Sequence, residues 1–188
     1  MGNLRSVEKA LQHLGAECEV RPRISDAEKV IIPGVGAFGA AMERLAPMAD
    51  EIRSFAAAGH PLMGICLGQQ LLFDSSEELG EFRGLGIIPG HVKYLPKDRG
   101  LKVPHIGWSP LTICEESGPA ADVRDGEQVY FVHSLYTECA DRNDVIAVAD
   151  YGLKFPAMVR RGNVWGAQFH PEKSGDVGLR ILRSFIEC

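Results

Sequence analysis

"MGICLGQQLL", residues 63–72, decides how this chain folds. The segment "HPLMGI" reads as a buried strand, and it runs into Gly64-x-Cys66-x-Gly68 before a helical stretch, "QQLLFDSSEEL". A nucleophile at the apex of a strand-to-helix turn is the elbow pattern G-x-Nu-x-G, here with cysteine in place of serine. The flanking glycines admit a sharp, strained turn that lifts the side chain clear of both elements. A helix starting behind the sulfur offers it free N–H groups and a positive dipole end, which favour thiolate over thiol. The N–H of Leu67, one residue on, is placed to meet a developing oxyanion. Taken alone, Cys66 reads equally well as a buried structural thiol, the commonest state of a free cysteine.

A base tips the balance, and "QFHPEKSG", residues 168–175, supplies one. Pro171 pushes His170 into an extended conformation. Residues two apart in an extended chain face the same side, so His170 and Glu172 project together. The imidazole can then accept the thiol proton while the carboxylate fixes its tautomer. The pair is a poor metal site, because a zinc deaminase needs P-C-x-x-C after its H-x-E and no such segment exists here. No metal and no cofactor are expected. His13, His60, His91 and His105 have no comparable company and read as structural or surface residues.

The third stretch is "VIIPGVGAFG", residues 30–39, whose Gly34, Gly36 and Gly39 have dinucleotide-fingerprint spacing. Such a site needs an acid at the end of the next strand, and that strand ends in Cys66. Asp50 and Glu51 fall mid-helix, and Pro33 removes a backbone donor from the turn. A tight turn that needs small residues explains the glycines as well.

Working outward, the 188 residues form one expected domain over 1–188, ample for a core. Hydrophobic content of 45% is ordinary for a globular protein, and a formal charge of −5 with a pI near 5.7 argues against a nucleic-acid or anionic-membrane partner. No apolar run approaches a membrane span and no charged-then-apolar leader is present. The odd, scattered cysteines (Cys18, Cys66, Cys114, Cys139, Cys188) read as reduced thiols of a cytoplasmic protein. Leu4, Val7, Leu11 and Leu14 have helical spacing closed by Gly15. "CEVRP" and "KVIIPG" are strand candidates, residues 40–58 are helical with a break at Pro47, and strand–helix alternation predicts a parallel sheet. After Gly80 the texture is β-rich until the amphipathic helix "DVGLRILRSFIE".

With these motifs in place, "GICLGQQLLF" and "FHPEKSG" make the chain resemble a class I (triad) glutamine amidotransferase over nearly its whole length. Within that class "PGVGAFG", "GLGIIPG", "KVPHIGW" and "VYFVHS" resemble the glutaminase subunits of imidazole glycerol phosphate synthases. The resemblance implies an α/β, flavodoxin-like fold, a mixed sheet flanked by helices with a β-rich second half. It implies hydrolysis of glutamine to glutamate and ammonia, with ammonia passed to a (β/α)8-barrel cyclase partner in a heterodimer. By the same resemblance the catalytic triad is Cys66, His170 and Glu172, and the oxyanion site is Val35, Gly36 and Leu67. Gln70 and Glu78 would hold the glutamine's polar end, helped by backbone at His133, Ser134 and Leu135. Trp108, Tyr130 and Lys173 would face the partner, near where ammonia leaves. Gln70 and Glu78 read otherwise as a polar helix face, Trp108 and Tyr130 as core aromatics, and Lys173 as a surface lysine.

Two departures stand out. Ser109 and Pro110 replace a more usual asparagine and variable residue, and the chain begins at "GNLRSV" where the family first has a strand. The expectation is an internal methionine, with roughly ten more residues upstream. The rival readings are a glutaminase serving another synthase (pyridoxal phosphate, anthranilate or purine), a related cysteine peptidase or γ-glutamyl hydrolase, and a non-catalytic binding module.

Overall fold

The computed structural model describes residues 2–96 and 100–188. Helix α1 (Gly2–His13) buries Val7, Ala10 and Leu11, leaving Leu4 at the surface. It closes at Gly15, φ 82°, where the Ala16 N–H donates to Leu11 C=O at 3.0 Å. That is the left-handed closure for which glycine is suited. "CEVRP", expected as a strand, is not one: residues 18–22 pair with no ladder. The chain enters regular structure next at strand β1 (Val30–Gly34).

Helices α2 (Phe38–Leu45) and α3 (Ala49–Ala57) meet through a tight turn at Ala46–Met48 that contains Pro47, as expected. Strand β2 (Leu62–Cys66) then leads into α4 (Leu67–Leu71), which has only five residues. The helix expected over "QQLLFDSSEEL" is therefore cut short. Phe73 and Ser76 are buried around an exposed Asp74, and β3 (Phe73–Ser76) pairs in parallel with β5 (Ile88–Tyr94) across β4 (Phe82–Arg83) in sequence. The second half supplies β6 (His105–Pro110), β7 (Thr112–Ile113), β8 (Gln128–His133), β9 (Leu135–Cys139), β10 (Val145–Asp150), β11 (Lys154–Arg161) and β12 (Val164–Ala167). Helix α5 (Gly175–Glu187) follows, with Lys29 Nζ donating to Ile186 C=O near its end at 2.7 Å.

The main sheet runs β1-β2-β12-β11-β10-β7, a second sheet runs β4-β3-β5-β9, and β6 with β8 forms a separate ribbon. In the main sheet β1, β2 and β12 are parallel and the remaining strands antiparallel, so the sheet is mixed. Strand β2 is buried at every residue. Met63 and Ile65 join Val7, Phe131, Phe155, Ile181 and Phe185 on the α1/α5 side, and Leu62 joins Ile32, Phe38, Ile52 and Phe55 on the α2/α3 side. A parallel strand covered on both faces is the environment that favours such a continuous apolar run. Among the described residues no helix is long and apolar enough to cross a membrane.

Candidate active site

Cys66 ends β2 with φ 55° and ψ −110°. Leu79 is the other non-glycine residue with positive φ among those described. The strain of the turn thus falls on the cysteine, and the flanking glycines serve a different need. A Cβ on Gly64 would lie 2.4 Å from Gly68 O, and one on Gly68 only 1.7 Å from Ile32 O. A Cβ on Gly34 would come within 2.9 Å of Leu67 Cβ. These three glycines let β1, β2 and α4 approach backbone to backbone, which for Gly64 and Gly68 corrects the expectation that they relax the turn. Gly36 is the opposite case: nothing lies near it, but its φ of 112° suits glycine alone. With five residues, α4 has a feeble dipole, and what it offers the sulfur is the N–H groups of its first turn. Leu67, buried, is its first residue, while Val35 is 53% exposed beside Gly36.

His170 follows β12, the parallel strand beside β2, so the sheet brings base and nucleophile to the same strand ends. Its backbone is extended, φ −103° and ψ 96°. Glu172, however, lies in a 3-10 turn (Pro171–Lys173) and not on an extended chain. The turn still carries its carboxylate back to the imidazole: Nδ1 of His170 meets Oε1 of Glu172 at 2.8 Å, with both side chains wholly excluded from solvent. A carboxylate only accepts, so Nδ1 carries a proton in either charge state of the ring, and Nε2 is the atom left to exchange one with the nucleophile. Nε2 has no hydrogen-bond partner among the described residues. The Cys66 thiol instead donates to Val132 C=O at 3.8 Å, a loose contact that leaves the sulfur free to turn to the base. Burial alone would lower the pKa of His170, but Cys66 and Glu172 overcome it and raise it to about 9.

Behind the sulfur lies a buried amide relay that the sequence reading overlooked. Gln168 donates to Cys66 Sγ at 3.9 Å and accepts from Gln70 Nε2 at 3.0 Å. Gln70 also donates to Leu135 C=O at 3.3 Å. The same carbonyl accepts from His133 Nδ1 at 2.7 Å, so His133 Nε2 is an acceptor and receives the hydrogen bond donated by His105 Nδ1 at 3.0 Å. His105 Nε2 in turn accepts from Ser109 Oγ at 2.9 Å. His105, set aside as lacking company, is therefore a buried link stacked on Tyr151 at 4.0 Å, and Ser109 is its donor. Burial holds the pKa of His133 down to about 3 and lowers that of His105. Ser134 C=O accepts from the Leu95 N–H, which ties the turn between β8 and β9 to the second sheet. Glu78 is not on a helix; its carboxylate accepts the N–H of Phe38, the first residue of α2. It anchors the far end of the glycine-rich loop.

Trp108 and Tyr130 are not core aromatics. They face each other across β6 and β8, ring centroids 5.9 Å apart and edge-on, with Trp108 52% exposed and Ile106 beside it 59% exposed. Lys173 is exposed in the His170 turn.

A strained cysteine at a strand end, with a buried histidine–carboxylate pair leaving the next strand, is suited to acyl transfer from an amide. The chain belongs to the family described as glutamine amidotransferase class-I, which matches residues 1–188. More narrowly, it is similar to proteins named imidazole glycerol phosphate synthase subunit HisH. That of Listeria monocytogenes serovar 1/2a is 45% identical over 99% of this chain and 91% of its own length. That of Methanosarcina acetivorans is 47% identical over 100% and 94%. In fold, a glutamine amidotransferase crystal structure superposes with a TM-score of 0.77 at 22% identity, covering 99% of this chain and 93% of that one. PurLQS from Thermotoga maritima gives 0.73 at 21%, covering 97% and 91%.

Proposed function

We propose that this chain is the glutaminase subunit of an imidazole glycerol phosphate synthase, a cytoplasmic heterodimer with a (β/α)8-barrel cyclase. The observation that carries the reading is the strained Cys66 set beside the buried His170–Glu172 pair. His170 Nε2 takes the thiol proton, and the thiolate attacks the side-chain carbonyl carbon of glutamine. The C–S bond forms as the carbonyl opens to an oxyanion, received by N–H groups of Leu67 and the Val35–Gly36 loop. Collapse breaks the C–N bond, His170 returns its proton to the nitrogen, and ammonia leaves a thioester on Cys66. Water then attacks with His170 as base, the C–S bond breaks, and glutamate departs.

Glu78, Gln70 and the turn His133–Leu135 hold the amino-acid end of glutamine. The Trp108–Tyr130 face with Lys173 meets the cyclase, where ammonia is consumed in making imidazole glycerol phosphate and aminoimidazole carboxamide ribotide. The test is glutamate release by the purified chain mixed with its substrate-loaded cyclase. Turnover is expected; its absence overturns the reading.

A further inference from the structure

Ser174 occupies the N-cap position of α5, where serine ordinarily accepts a backbone N–H of the first turn. Here it makes no such bond. The hydroxyl, in a residue 1% exposed, donates to His170 C=O at 2.6 Å and accepts the Tyr130 N–H at 3.0 Å. On the other side of the same residue pair, the His170 N–H donates to Tyr130 C=O at 2.9 Å. An antiparallel pair would exchange both bonds directly. Pro171 and the 3-10 turn swing the His170 carbonyl out of reach, and the serine hydroxyl fills the missing rung. Both main-chain polar groups of the base are thereby fixed to β8, the strand whose Val132 carbonyl also receives the Cys66 thiol.

We propose that Ser174 is a positioning residue for His170: it forgoes capping its own helix to lock the main chain of the base against Tyr130. This rests on the reading of His170 as the general base. Without the hydroxyl, the imidazole keeps its chemistry but loses its fixed aim between Glu172 and Cys66, and small misplacements in such sites cost about 10- to 100-fold in rate.

The experiment measures glutamine hydrolysis by the complex with substrate-loaded cyclase for wild type, Ser174→Ala and Ser174→Thr. Alongside it, the Nδ1 proton of His170 is read in 15N-histidine-labelled protein. Ser174→Ala should lower kcat about 10-fold or more with KM within about twofold, and broaden or shift the Nδ1 resonance; Ser174→Thr should restore both. A Ser174→Ala kcat within about twofold of wild type, or an unchanged resonance, overturns the proposal. Should Ser174→Ala not fold, Ser174→Cys, with its weaker donor, is read by the same criteria. An inactive wild type would instead overturn the glutaminase reading itself.

Discussion

His170 and Glu172 share a 2.8 Å hydrogen bond between two fully buried side chains, though a 3-10 turn and not an extended strand brings them together. The carboxylate has one oxygen on Nδ1 and the other without a hydrogen-bond partner among the described residues. An imidazole so held can receive a proton at Nε2 and keep it, because the resulting cation is paired at once.

The nucleophile is tested by Cys66→Ala in the complex. Glutamine-dependent synthesis should fall by at least ~10^4-fold, while synthesis from added ammonium stays within about twofold of wild type, because a triad acts as a unit and the cyclase does not use it. Loss of both activities from an intact complex would contradict the division of labour.

The crowding at the elbow separates two kinds of glycine. Gly68→Ala places a methyl 1.7 Å from Ile32 O, so a loss above ~4 kcal/mol in denaturant unfolding is expected. Gly36→Ala meets no atom and should cost only about 1–3 kcal/mol of backbone strain. It should yield folded protein whose kcat is lowered through the displaced loop.

Glu78 has two separable tasks. Glu78→Ala removes the acceptor for the Phe38 N–H and should cost about 1 kcal/mol, a fall of about 2–4 °C in Tm. Glu78→Gln keeps an acceptor and should hold Tm. Both should raise KM for glutamine, since neither keeps the negative charge. A wild-type KM in Glu78→Gln would remove Glu78 from the substrate site.

Stability should peak near neutral pH. His133 stays unprotonated in the fold down to about 3, so below its ordinary 6.5 the unfolded chain takes a proton the fold refuses and stability falls. His170 runs the other way: its raised pKa gives stability that is complete below 6.5 and lost as pH rises through about 9. Tm measured against pH should show both limbs, the acid one shallower in His133→Gln and the alkaline one shallower in His170→Gln.

Much of this site was legible because its signals are local. Cys66 sits between glycines and His170 lies two residues from Glu172, so short spacing carries the chemistry. Gln168 was within the same quoted stretch, but its link to Gln70 is a contact across β12 and α4 that no local pattern encodes. His105 and His133 likewise meet only through the β6–β8 register. The helix expected through residue 79 failed because Phe73 and Ser76 found strand partners, tertiary pairing prevailing over local periodicity. "CEVRP" failed for the converse reason: β-propensity without a neighbouring ladder makes no strand.

The order of the main sheet also sets a timetable for synthesis. Strand β12 lies between β2 and β11, pairing Val164 with Leu62 about a hundred residues earlier. As the chain leaves the ribosome, the cysteine strand emerges about a hundred residues before the neighbour that completes its sheet. Until then β2 presents an open apolar edge, a hazard for aggregation. Glutamine therefore cannot be consumed while the nucleophile alone has been made: base, serine clasp and closing strand all follow Cys66 by about a hundred residues.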